Sequence, residues 1–257
     1  MLIKSCFYLV SLSILSSVAS SLTLISAVGG VDYEIAPNST FSSAASGNKD
    51  NHWGDSHSGR QASGGPRDDC PSVDKALTAL MPSNNWGITT TQTPTVWFYN
   101  PYSAEQIDHG QFVLQNAQGF DVIDPIGFSL PETPGFISVT VPVSDLALES
   151  GTEYYWALEL YCDSDNRTPI YVEGWIQPES PSLEITESLE EGELPAYQIY
   201  WENRIWFDAV NELAQLRLNQ PLDEALETEW LRLLEDGGLD TESLVGEPLV
   251  GPVSIQD

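Results

Sequence analysis

The sequence predicts a mainly β protein, an antiparallel sandwich-like core with a short helix before it and two helices after it. Three observations carry this expectation. Apolar runs of strand length recur between residues 95 and 177, separated by Pro, Gly and polar turn residues. Beyond residue 200 the apolar spacing changes to three and four, the period of a helix. Of the 257 residues, 41% are hydrophobic and 10% aromatic, a composition that fills a core.

Taken in chain order, the first segment reads as a signal peptide over residues 1–20. Lys4 supplies the positive start, residues 6–15 a short apolar run, and Ser17 and Ala19 small residues at a cleavage site. Residues 21–69 form a low-complexity segment. From residue 36 they are rich in Gly, Ser, Asn and Asp, too poor in aliphatic side chains to offset the entropy of ordering, and are expected to be largely disordered. Residues 70–178 form the expected β core. It opens with a short helix over residues 73–80, ended by Met81 and Pro82, and five strands follow at 95–99, 111–114, 136–141, 153–162 and 170–177. Before the fourth strand, Leu148, Gly151 and Tyr154 are spaced as in a tyrosine corner. There a tyrosine opens a strand and its hydroxyl bonds back to the preceding loop, which sharpens the expectation to an immunoglobulin- or fibronectin-like sandwich.

Residues 179–239 read as an acidic linker and a helical part packed on the sheet. Trp206, Ala209, Val210, Leu213 and Leu216 set one face of the first helix, which Pro221 ends. Asp223 is placed to cap a second helix carrying Leu226, Trp230, Leu233 and Leu234, stopped by Gly237 and Gly238. Residues 240–257 are expected as a frayed acidic tail.

Charge limits the partners. With 38 Asp and Glu against 9 Lys and Arg, the formal net charge is −29. Such a surface repels phosphate backbones and anionic lipid heads, which argues against nucleic-acid binding and membrane docking. Once the leader with Cys6 is removed, Cys70 and Cys162 remain. In an oxidising compartment such a pair reads as a disulfide, worth roughly 4–5 kcal/mol at most by loop-closure entropy. Two buried free thiols are the alternative. The expected location is therefore extracytoplasmic, periplasmic or secreted, with no membrane insertion after signal removal.

Strand alternation marks the candidate binding face. Along residues 153–162, Tyr154, Trp156, Leu158, Leu160 and Cys162 point to the core, and Tyr155, Glu159 and Tyr161 to the other side. On the next strand Tyr171, Glu173 and Trp175 share a face. A hairpin between the two, in a register pairing Tyr161 with Tyr171, sets Glu159 opposite Glu173. Two carboxylates so placed need a cation, a proton or an arginine between them. Three readings follow. A C-terminal helix covers the face and Arg204 or Arg217 neutralises the acids; or the face is an open platform for a partner's side chains or sugar rings; or Glu159 and Glu173 are a glycosidase's acid and base.

Other motifs carry less. Asp163 and Asp165 resemble the opening of a calcium loop, but Arg167 and Thr168 occupy positions that need a ligand and a glycine. His52 and His57 lie in the segment expected to be disordered, and His109 stands alone. Asn38 and Asn166 open acceptor patterns for N-glycosylation. No nucleophile elbow, zinc-protease helix motif, phosphate loop or dinucleotide fingerprint occurs. No catalytic, cofactor or metal residue is assigned.

The blocks Gly64 to Arg67, Leu77 to Pro82, Pro94 to Tyr99, Leu148 with Gly151, Tyr154 and Trp156, Val172 to Ile176 and Ile205 to Ala209 occur in an order that resembles a cyanobacterial family catalogued as domain of unknown function 928. The likeness runs from about Gly59 to about Leu239. It implies an exported protein in which Cys70 and Cys162 match the family's two cysteine positions, and it implies no reaction. One departure is the Arg-rich stretch usual before the first cysteine, reduced here to Arg60 and Arg67. The expectation is an exported, non-catalytic interaction module that binds an envelope or extracellular protein. The alternatives are a carbohydrate-binding module recognising a glycan and a hydrolase using Glu159 and Glu173.

Overall fold

The computed structural model describes residues 53–64, 70–142, 148–163 and 168–256. The leader and residues 21–52 lie outside the described residues. Among the described residues the chain forms ten strands and five helices, mostly β. In chain order the strands before the helices are β1 (Thr78–Ala79), β2 (Trp86–Thr89), β3 (Thr95–Asn100), β4 (His109–Asn116), β5 (Ile126–Ser129), β6 (Gly135–Thr140), β7 (Tyr154–Tyr161) and β8 (Ile170–Pro178). The helices are α1 (Leu183–Glu191), α2 (Ala196–Glu202), α3 (Trp206–Asn219), α4 (Glu224–Asp236) and α5 (Thr241–Leu244), and β9 (Leu249–Pro252) and β10 (Ser254–Ile255) close the chain.

The strands make two sheets, a four-stranded one in the order β1-β3-β6-β9 and a six-stranded one in the order β10-β5-β4-β7-β8-β2. Aromatic side chains hold them face to face. Phe98 on β3 meets Phe112 on β4 and Trp156 on β7 at ring-centroid distances of 6.5 and 5.6 Å. All three are fully buried. Trp156 needs a hole in its own sheet, and Gly174, its partner on β8, provides one. A Cβ at Gly174 would lie 2.9 Å from the Trp156 ring and 2.5 Å from the Met81 sulfur.

The four-stranded sheet is covered on both faces, which is why β3 reads as an unbroken apolar run, with Val96, Trp97, Phe98 and Tyr99 all buried. Phe98 serves the space between the sheets, while Trp97 faces the helices and donates its indole N–H to Asn211 of α3 at 3.1 Å. Trp206 at the start of α3 is buried and bonds the Leu80 carbonyl at 2.8 Å, and Trp230 of α4 packs edge-on against Phe136 of β6.

The five strands expected from the sequence are all present, and Tyr154 forms the expected corner. It is buried at the start of β7, its hydroxyl accepts the Glu149 N–H at 2.9 Å, and Gly151 supplies the left-handed turn with φ of 78°. The cap at Asp223 also forms, accepting from the N–H groups of Ala225 and Leu226.

Several expectations are corrected. Residues 73–80 hold no helix; Thr78–Ala79 is strand β1, because the segment finds an edge of β3 to pair with. The pairing is not purely antiparallel, since β2 runs parallel to β8 and β9 parallel to β6 at the sheet edges. The linker after Pro178 is helical: Ser182 caps α1 by accepting the Ile185 N–H, and Gly192 ends it in a left-handed turn. From Asp240 the chain does not fray. It forms α5 and then strands that extend both sheets, β9 beside β6 and β10 beside β5.

Residues 53–64, expected to be disordered, are fixed by contacts their composition does not advertise. Trp53 is buried edge-on against Trp206 at 4.7 Å and donates to the Asp236 carbonyl. Arg60 exchanges backbone hydrogen bonds with Glu173 of β8, and Ala62 bridges to Thr78 of β1, so this strap joins the edges of the two sheets.

Cys70 and Cys162 are bonded, with a Cα–Cα distance of 5.4 Å and a sequence separation of 92. Two measurements test this architecture. Gly174→Ala is expected to lower stability by about 1–3 kcal/mol through overpacking against Trp156, read from the urea midpoint. Reducing the disulfide is expected to cost roughly 2–5 kcal/mol, read as a fall in that midpoint with no change of secondary structure at low urea.

Candidate functional site

The outer face of the six-stranded sheet brings together all six residues singled out by alternation. Tyr155, Glu159 and Tyr161 come from β7, and Tyr171, Glu173 and Trp175 from β8, each half-buried, while their strand neighbours point to the core. The expected register is wrong by two residues. Glu159 faces Tyr171, Glu173 faces Ala157, and Tyr155 faces Trp175. The two glutamates are therefore diagonal neighbours, at a spacing of roughly 7–8 Å, and each meets a tyrosine instead of the other. The hydroxyl of Tyr155 donates to Glu173 at 2.5 Å and that of Tyr161 donates to Glu159 at 2.8 Å. A two-residue slip keeps every side chain on its face, so alternation alone does not detect it.

Four further residues join this face. His109 of β4 lies opposite Tyr161, and their rings stack at 4.6 Å with planes 5° apart. Trp86 of β2 lies beside Trp175. His57 of the strap sits 5.9 Å from both the Trp86 and Trp175 rings and bonds Glu153 at 2.9 Å. The strap also takes the Trp175 indole N–H on the Ser58 carbonyl, and it lays the Arg60 guanidinium 4.4 Å above the Tyr171 ring. His109 was within reach of sequence reading, since extending the alternation of β4 by one pair exposes it. His57 and Arg60 carry no such signal, because their segment is held by edge pairing and by Trp53, not by its own periodicity.

The first sequence reading, a C-terminal helix over this face, does not hold. Helix α3 packs on β2, β3 and β9. Arg217 pairs with Glu227 and lies over the Trp230 ring, and Arg204 is exposed beside a pocket of about 550 Å³ between α2 and α4. Among the described residues, the arginine on this face is Arg60 instead. Tyr155 and Trp175 meet edge-on at 69°, so this pair does not form a coplanar platform. Among the described residues, no three His, Cys, Asp or Glu side chains converge on a metal position. His52 and Asp165 lie outside the described residues. No helix among them is long and apolar enough to cross a membrane.

A second buried polar feature lies under the helices. Asp208 in the first turn of α3 accepts the Thr90 hydroxyl at 2.7 Å and the Thr90 N–H at 3.1 Å. Burial raises its carboxyl above the ordinary range, against the lowering effect of those bonds. It ties the end of β2 to α3 and has a structural explanation.

Fold and face together define a β-rich domain of two packed sheets, one roofed by helices and the other presenting a face of aromatic and acidic side chains. This chain belongs to the family described as Domain of Unknown Function (DUF928), whose model matches residues 62–249. The match runs past the helices into β9 and so includes nearly the whole described fold. No curated protein matches the chain.

The tyrosines of the face have a measurable signature. Burial first, and then the bond to Glu159, pushes the Tyr161 hydroxyl up to about 12. Tyr155 is raised further, by burial and by its bond to Glu173. An unfolded tyrosine ionises near pH 10. Above that pH the unfolded chain loses protons that the folded face retains, so the stabilisation present below pH 10 is lost progressively as pH rises towards about 12. Phenolate absorbance should show these tyrosines missing from the first ionisation wave and released with unfolding. Complete ionisation of all tyrosines near pH 10 in the folded protein would contradict the geometry.

Proposed function

We propose that this protein is an extracytoplasmic, non-catalytic interaction module that binds a protein partner on the outer face of the six-stranded sheet, through Tyr155, Glu159, Tyr161, Tyr171, Glu173 and Trp175. The observation that carries the reading is the assembly of these six side chains on one face of two adjacent strands, while the helical layer packs on the four-stranded sheet and on the edge strand β2. Tyrosine and tryptophan present large contact area at low entropic cost, and each is half-exposed here.

The pairing pattern supports an immunoglobulin-like reading of the scaffold. The orders β1-β3-β6 and β5-β4-β7-β8 follow the A-B-E and C′-C-F-G orders of such sandwiches, and the tyrosine corner falls on the strand that corresponds to F. Folds of this type carry many unrelated functions, so the face and not the fold is the argument. The bond between Cys70 and Cys162 is compatible with work outside the cytoplasm, following export by the leader read at residues 1–20.

The other two readings draw less support. A carbohydrate platform is better served by coplanar rings than by the edge-on pair of Tyr155 and Trp175. A hydrolase needs carboxyl groups in a cleft, and the chief pockets are lined by other residues than Glu159 and Glu173.

Capture from the native envelope tests the proposal. Immobilised wild-type protein should retain a defined partner, and Tyr161→Ala combined with Tyr171→Ala should lose it by more than about tenfold, the scale of two central aromatic contacts. A Leu222→Ser control on the far helical surface should retain it. Equal retention by the face variant, with its melting curve intact, would move the binding surface elsewhere.

A further inference from the structure

The strap has placed a cation on this face. Arg60 reaches it because its backbone pairs with Glu173, at 2.9 and 3.0 Å, at the edge of β8 that lies beyond the end of β2. Its guanidinium then lies over Tyr171, on the ring that faces Glu159 across the strands. The other described basic side chains are engaged or located elsewhere. Lys75 pairs with Glu247, Arg217 with Glu227 and Arg232 with Glu229, and Arg204 borders the α2–α4 pocket.

The same combination of groups occurs a second time without such an occupant among the described residues. Tyr161 donates to Glu159 and stacks with His109, and it stays half-exposed beside the carboxylate that its hydroxyl orients. An aromatic ring with a carboxylate at its rim is the environment in which a guanidinium is held both by the π face and by charge-assisted hydrogen bonds. Glu153, Glu159 and Glu173 set the sign of the local field, and the chain's net charge of −29 extends it outward. The tyrosine hydroxyls stay protonated at neutral pH and orient the carboxylates without adding charge.

We propose that the partner of this face presents an arginine-bearing basic peptide segment, whose guanidinium seats on Tyr161 and Glu159 as the chain's own Arg60 seats on Tyr171. This rests on the reading that the face is a protein-binding surface, and it adds the chemistry of what is bound.

The test is fluorescence anisotropy with a labelled Arg-Gly-Ser repeat peptide, and with the same peptide carrying Glu for Arg. Wild type should bind the arginine peptide in a salt-sensitive manner and ignore the glutamate one. Glu159→Gln, which keeps size and shape, and Tyr161→Ala should each weaken binding by about tenfold, the order of one desolvated charge or aromatic contact. As a control for diffuse charge attraction, Glu187→Gln with Glu190→Gln on α1 removes more charge from a distant surface and should change little. Weakening by the α1 variant equal to that by Glu159→Gln overturns the proposal. If the peptide fails to bind while envelope capture still depends on Tyr161 and Tyr171, the arginine chemistry is wrong and the binding face stands. If capture fails as well, both fall together.

Discussion

Trp156 between Phe98 and Phe112 is the contact on which the rest of the molecule depends. An indole buried between two sheets sets their separation and pins β7, because no other side chain on that strand fills the gap left over Gly174. Truncating a buried Trp typically costs about 3–5 kcal/mol, a large part of a domain's net stability. Once β7 is pinned, period-two geometry leaves no choice about its other side chains. Tyr155, Glu159 and Tyr161 must face outward. The outer face of aromatic and acidic side chains is thus a by-product of core packing, and the tyrosine corner at Tyr154 fixes where along the chain the alternation begins.

What stays uncovered depends on the opposite side of the molecule. Trp97, Phe136, Trp206 and Trp230 gather the helices onto the four-stranded sheet, and the wedge of Phe207 against Gly87 seats the start of α3 at the sandwich's edge. An amphipathic helix has one apolar stripe, and that of α3 is taken up by the four-stranded sheet and the edge strand β2. The six-stranded sheet keeps its outer face, trimmed at the β8 edge by the strap. That strap is short of apolar residues and is held at intervals: by Trp53 in the core, by backbone bonds of Arg60 to one sheet and of Gln61 and Ser63 to the other, and shortly after by the bond from Cys70 to Cys162.

Acidic and aromatic groups on the face stabilise one another locally. Glu159 and Glu173 avoid direct opposition because the register sets Tyr171 and Ala157 across from them, and each then accepts a tyrosine hydroxyl. Placed directly opposite, two carboxylates repel. The observed slip of two residues relieves this at no cost in burial, since it preserves which side chains face the core.

By itself the sequence determined the five central strands, the tyrosine corner, the two longer helices with the Asp223 cap, and which side chains of β7 and β8 share a face. Those properties are local: they follow from period, spacing and capping chemistry within a few residues. Only the tertiary structure decided the register of β7 on β8, the edge strands β1, β2, β9 and β10, and the ordering of the strap that brings His57 and Arg60 to the face. The β7–β8 register is a local choice that alternation cannot see, and the others are pairings between segments distant in sequence, made by backbone groups that every residue carries or by a single buried indole. Neither leaves a pattern in composition, because a peptide N–H finds its acceptor by position in space and not by the side chain beside it.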